Sequence, residues 1–363
     1  MWQLREFQCY SEKASGGIAA TAISPSVLAN VSAHKSDHEK SETTPDRVLI
    51  KSATIISMDE SIGDIVGDIL IEGGKIKAVA EKLNISDASV IDAKDKIIIP
   101  GFVDSHRHMW LGYFRNIVAD GSFSDYKELV QRRLGSTMLP EDVYAANLLS
   151  ALGAIESGVT SVLDWSQISN TPLHSDAAIQ ALIDSGIRGV YAYGNPQSST
   201  GRFQDAVAAQ FPQDITRLRS QYFSSDDQLL TLAMAVPTGD INVTRAGFKA
   251  GRDVGAPLSI HVGMGLAGKT GLLEQLNSFS ELASDITYIH GCTLNDNEWK
   301  LIRDTGGTVS LSVYTEMMMG HGYPPIQKVL DLGLKPSLSL DVETTAPVDF
   351  FCADAISSFF AEK

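Results

Sequence analysis

Residues 96–108 read KIIIPGFVDSHRH, and the character of the chain changes across them. Upstream, 47–57 (RVLIKSATIIS), 68–71 (DILI) and 75–80 (KIKAVA) are short β-rich runs, with Gly73-Gly74 between the last two as a tight hairpin. That pattern predicts a small antiparallel unit over 47–96. Downstream, apolar β-type runs alternate with helix-like stretches, the mark of a parallel α/β sheet. Eight runs stand out, at 97–103, 159–164, 187–193, 229–236, 257–261, 285–290, 308–313 and 336–341. Between them, Pro140-Glu141-Asp142 opens a helix ending at Ser157-Gly158. A second, 175–185, is closed by Gly186, and a third, 295–305, by Gly306-Gly307. Eight strand–helix units in about 265 residues are the size of a (β/α)8 barrel, which is therefore expected over 97–363.

The chain has 363 residues, 44% hydrophobic and 20% charged, which is ordinary for a globular protein with one large domain and a small appendage. Its net charge of −15 disfavours nucleic acid and anionic membranes as partners, since each phosphate contact asks for Lys or Arg. No stretch approaches the length of a membrane span. Cys9, Cys292 and Cys352 match no zinc or redox spacing and read as small hydrophobes.

The first 46 residues read as a leader and linker. Residues 14–33 (ASGGIAATAISPSVLANVSA) are small and uncharged, and 34–46 (HKSDHEKSETTPD) are too polar to join a core. Leu4-Arg5-Glu6-Phe7 resembles a twin-arginine export signal lacking one arginine, with Glu6 and Glu12 against it. The expected location is the cytoplasm, with export through this degraded leader as the alternative. His34 and His38 belong to the linker and read as solvated.

In such a barrel the working side chains sit at the C-terminal ends of strands. His106 and His108 follow the first run, His261 ends the fifth, His290 the sixth and Asp341 the eighth. Residues two apart on an extended segment project to one side, so His106 and His108 reach the same point. Neutral imidazoles with one carboxylate suit zinc and leave room for a water, whose pKa falls to about 7. Asp341 would ligate the ion and accept the water's proton. His174, beside a helix start, reads as a surface residue.

The stretch Pro100-Gly101-Phe102-Val103-Asp104-Ser105-His106-Arg107-His108 resembles the P-G-F-[VI]-D-x-H-x-H signature of the amidohydrolase superfamily. Gly74-Lys75-Ile76-Lys77-Ala78-Val79 resembles a hairpin in that family's β-sandwich. Ser259-Ile260-His261-Val262, Tyr288-Ile289-His290-Gly291 and Ser339-Leu340-Asp341 match its later site strands in order. The resemblance spans about 47–355 and is nearest to the cytosine deaminase and triazine hydrolase branch, which Met319-Gly320-His321-Gly322 and Pro324 also resemble.

It implies His106, His108, His261 and Asp341 as ligands of one divalent metal, zinc or else iron, with His290 and Asp341 catalytic. A second ion is not expected, because Ala235-Val236-Pro237-Thr238 at the fourth strand's end lacks the bridging lysine of binuclear relatives. His321 and Trp110 are candidate substrate contacts.

Two departures qualify the likeness. Deaminases of this branch carry His-x-x-Glu after the fifth strand, and here that position is Met264, which cannot carry a proton. Glu316, expected in the loop after the seventh strand, is the candidate replacement, with His321 second. Relatives also return to the sandwich after the barrel, whereas about twenty residues follow Asp341 here, with one amphipathic stretch at 349–360. The small unit is thus expected to be half a sandwich, with Leu70, Ile71, Ile76 and Val79 covered by a partner in a homo-oligomer or else prone to aggregation.

The expectation is a metal-dependent hydrolase acting through activated hydroxide on a non-peptide C–N bond of a small cyclic amide, amidine or heteroaromatic substrate. Displacement of a non-nitrogen group such as halide is the alternative within enzymes. A shortened chain with little catalysis is the alternative outside them.

Overall fold

The computed structural model describes residues 47–197, 211–346 and 349–350. Two compact units part between Pro100 and Gly101. The leader, the linker, Cys9, Cys352 and most of the stretch at 349–360 lie outside the described residues.

In the first unit, β1 (Arg47–Ile56), β2 (Asp64–Glu72) and β3 (Lys75–Ala80) form an antiparallel meander. Gly73 and Gly74 turn it at φ of +54° and +71°, the left-handed pair that a two-residue hairpin requires. β4 (Ser89–Asp92) and β5 (Ile97–Ile98) pair parallel to β1, so the unit is mixed rather than antiparallel. Ala53, Ile55, Ile69 and Ala93 centre a small core. Leu70 is buried and Ile71 and Val79 are half-buried, while Ile76 is exposed.

Residues 97–98 therefore belong to the first sheet and not to the barrel. Pro100 offers no N–H to a ladder, and the chain re-enters a strand only at Phe102. Gly101 precedes it because a Cβ there would lie 2.2 Å from the Thr160 side chain.

The second unit is the barrel. Its eight strands run parallel in sequence order, β6 to β13. They are β6 (Phe102–Arg107), β7 (Val159–Ser166), β8 (Arg188–Tyr193), β9 (Leu230–Val236), β10 (Leu258–Val262), β11 (Ile286–His290), β12 (Thr308–Leu311) and β13 (Ser337–Leu338). The seam closes where Asp341 bridges Arg107, its N–H donating to the His106 carbonyl and its own carbonyl accepting from His108 N–H. Helices Pro140–Glu156, Pro172–Ser185 and Asp296–Thr305 stand where the sequence placed them, with Pro at the first turn of two and αL Gly186 and Gly306 closing two.

Candidate metal centre

The barrel puts His106 within β6, His108 just past it, His261 in β10, His290 at the last position of β11 and Asp341 beyond β13. His106 Nε2 lies 3.1 Å from His261 Nε2 and 3.2 Å from Asp341 Oδ1. His108 Nε2 is 3.3 Å from that same oxygen, and His290 Nε2 is 3.8 Å from Asp341 Oδ2. His106, His261, His290 and Asp341 each offer one ligand atom within 4.8 Å of the others. His290 and Asp341 hold left-handed backbone, at φ of 74° and 69°, an unfavourable conformation that the surrounding structure must enforce.

The donor set fits a divalent cation. His108 Nδ1 is 2.8 Å from the Trp165 carbonyl, which only accepts, so Nδ1 carries the proton and Nε2 a lone pair. That lone pair faces a carboxylate oxygen. Two buried acceptors so close call for positive charge between them. Ligand atoms about 2.1 Å from a tetrahedral zinc stand about 3.4 Å apart, close to the spacing here. Burial pushes His106 down to about 3 and His290 to about 4, and holds His261 well below the usual imidazole range. Burial would raise Asp341, yet the His106 and His108 side chains against it keep its carboxyl well below the usual range. Neutral imidazoles and an ionised carboxylate are the ligating forms.

His108, His261, His290 and Asp341 line a cavity of about 510 Å³. Trp165, Phe123 and Tyr126 give it aromatic walls, and Gln131, Gln167, Asn195 and Gln197 line it with carboxamides. Among its described lining residues Asp341 is the one carboxylate and Lys127 the one lysine. Gln197 Nε2 donates to the Gln167 carbonyl at 2.6 Å, and Gln167 Nε2 donates to Tyr126 Oη at 3.3 Å. Buried Asn170 fixes Gln197 by accepting from its backbone N–H and donating to the Gly135 carbonyl. Trp165, Gln167 and Gln197 escaped the sequence reading, which searched strand ends only for metal-ligating types. Trp165 and Gln167 stand at the end of β7, so the same positional rule, applied to aromatic and amide side chains, would have found them.

Met264 and His321 line the cavity as well. Glu316 sits in the helix Val313–Met318, not in a loop, because the chain turns helical directly after Ser312. It is fully buried and does not line the cavity. Its Oε1 is 3.1 Å from His290 Nδ1 and accepts from Ser312 N–H at 2.8 Å, so it reaches the centre only through His290. Burial raises its carboxyl to about 8. His321 packs edge-on to His290 with ring centroids 4.8 Å apart. Trp110 is buried in the barrel's core cluster and does not line the cavity. His174 is buried rather than on the surface, and its ring is held by Thr171 Oγ1 and the Met138 carbonyl, a structural role.

The amidohydrolase family model matches residues 97–358. The chain belongs to that family. This amidohydrolase is similar to a 5'-deoxyadenosine deaminase of Methanosarcina barkeri, 26% identical over 306 residues that cover 81% of this chain and 68% of the relative. It is also similar to a 5-methylthioadenosine/S-adenosylhomocysteine deaminase of Thermococcus onnurineus, 26% identical, covering 81% and 69%. Among solved structures, a zinc complex of an atrazine chlorohydrolase from Arthrobacter aurescens superposes with a TM-score of 0.66 at 22% identity, covering 83% of this chain and 73% of that one. A guanine deaminase of C. acetobutylicum gives 0.67 at 18% identity, covering 87% and 81%. At such identities the superpositions bear on the fold. The family and the deaminase relatives make this chain a hydrolase of carbon–nitrogen bonds other than peptide bonds. Among the described residues no helix is long and apolar enough to cross a membrane.

Proposed function

We propose that this amidohydrolase holds one zinc ion through His106, His108, His261 and Asp341 and removes a nitrogen substituent from a small, uncharged heteroaromatic ring. The carrying observation is the convergence of His106 and His108 Nε2 on Asp341 Oδ1, with His261 Nε2 3.1 Å from His106 Nε2. When bound, such an ion supplies a Lewis acid that activates water at neutral pH. One ion is favoured because the end of β9 and the residues after it, Ala235-Val236-Pro237-Thr238, hold no lysine to bridge two.

The chain's own groups then move the protons. Glu316 Oε1, already accepting from Ser312, takes the His290 Nδ1 proton as a hydrogen bond and leaves the Nε2 lone pair facing the centre. His290 serves as base towards the attacking water and then as acid towards the departing nitrogen. Glu316 is a positioning residue in this scheme, and His321 closes the wall beside His290. The Trp165 indole N–H is buried and has no protein partner among the described residues. Because the Gln197 amide nitrogen is committed to a carbonyl, its oxygen is left to accept from an amino edge. The deaminase names of the relatives support nitrogen as the leaving atom.

Met264 at the cavity wall favours a second reading, displacement of a leaving group that needs no proton, such as chloride. The test is metal content of the purified protein, followed by ammonia and chloride release from amino- and chloro-substituted purines, pyrimidines and triazines. Ammonia release with about one zinc per chain is expected. Chloride release alone would move the assignment to the second reading, and absence of bound metal would overturn both.

A further inference from the structure

Arg107 lies between two ligand histidines, yet its side chain takes no part in the centre. It is fully buried, and its partners are Ser150 Oγ, 3.1 Å from Nε, and acidic groups on either side of the barrel seam. Nη2 donates to Glu343 Oε1 at 2.8 Å and Nε to the same oxygen at 3.2 Å, while Nη1 reaches Asp104 Oδ2 at 3.4 Å. Ser150 Oγ donates to Glu343 Oε1, and Arg115 Nε to Glu343 Oε2 at 2.5 Å. Glu343 is fully buried and stands two residues after Asp341.

The backbone repeats the pattern. Leu340 N–H donates to Asp104 Oδ1 at 3.0 Å, and Asn116 N–H donates to the Glu343 carbonyl at 3.0 Å. Asp341 is therefore pinned at the residue before it and again two residues after it. Between these pins it keeps left-handed backbone, which a residue with a side chain holds only when its surroundings over-determine it. β13 is too short to do this alone, contributing only Ser337–Leu338 to the sheet.

We propose that the Arg107–Glu343 pair is a clasp that positions Asp341 for the metal, tying metal affinity to closure of the barrel between its first and last strands. This rests on the metal reading above. The clasp balances its own charge: two buried acids, Asp104 and Glu343, face Arg107 and Arg115. Removing one member leaves another buried and unmatched, and the strain at Asp341 then relaxes away from the ligating geometry.

The test uses the full chain, with zinc affinity from chelator competition and the visible spectrum of the cobalt(II)-substituted protein. Glu343→Gln should weaken zinc binding about 10- to 100-fold, the range for partners that orient ligands, and should alter the cobalt bands. Arg115→Ala removes one contact to Glu343 from a partly exposed side chain, so it is the variant to read if Glu343→Gln does not fold; a fall of about 3- to 10-fold is expected, below the range for a full orienting partner. Ile302→Ala, a core change in the helix Asp296–Thr305, should lower the melting temperature and leave zinc affinity and spectrum alone. Unchanged affinity and spectrum in the clasp variants would overturn the inference, as would an equal loss in Ile302→Ala. A wild-type chain that binds no zinc would overturn the metal reading and this inference with it.

Discussion

Glu316 carries two expectations at the scale of a single residue. Glu316→Gln keeps the shape and an oxygen for His290 Nδ1, whereas Glu316→Ala removes the acceptor, so kcat of Glu316→Ala should fall about 10- to 100-fold, as for loss of an orienting partner. Zinc content and KM should hold, and unchanged turnover would remove Glu316 from the mechanism. The second expectation concerns stability. Burial raises the folded carboxyl to about 8, against about 4.3 in an unfolded chain. Its contribution is fully present below the unfolded value and is lost as pH rises through the folded one. Glutamine does not titrate. In chelator-treated protein, Glu316→Gln should therefore gain on wild type in denaturant midpoint from about pH 4.5 to about pH 8 and level off above. A flat difference would mean that the carboxyl is ionised in the fold.

Among the elements, the helix Asp296–Thr305 has the clearest local cause. Asn295 Oδ1 accepts from the N–H groups of Asn297 and Glu298, and Glu298 returns a bond to Asn295 N–H. Glu298 also accepts from Leu273 N–H at 3.2 Å, so one cap fixes the starts of two neighbouring helices. Asn295→Ala should cost about 1 kcal/mol, the usual worth of such a cap, read from urea unfolding. A loss well above about 2 kcal/mol would mean that the Leu273 contact fails with it. Helix ends of this kind were legible because their chemistry is local, as were Gly186, Gly306 and the Gly73-Gly74 hairpin. The start of β6 was not. Residues 97–99 are as apolar as a barrel strand, and only pairing with β1 assigns 97–98 to the other sheet.

For the whole molecule, metal and fold should be coupled. An ion bound only by the folded chain stabilises it by mass action, so prolonged chelation should lower the melting temperature by several degrees, about 1–3 kcal/mol, and zinc should restore it. An unmoved transition would argue against a ligand set formed by folding. Val66, Ile76, Val90, Ile91 and Ile97 are exposed on the first unit, and we propose that the chain self-associates through such apolar side chains. Light scattering should give a mass above that of one chain at micromolar concentration, and a monomer there would remove the proposal.

By itself the sequence determined the fold class and pointed to five groups at strand ends. Strand period, helix caps and turn glycines are set by neighbours in the chain, and His106, His108, His261, His290 and Asp341 each sit at a recognisable strand end. Tertiary structure decided what depends on packing between distant segments. It put Glu316 behind His290 rather than in the cavity, made His174 a structural core residue and kept Trp110 in the core. It also joined Arg107 to Glu343 across the seam. No local pattern records such a pairing, because 236 positions separate the two residues and only closure of the barrel brings them together.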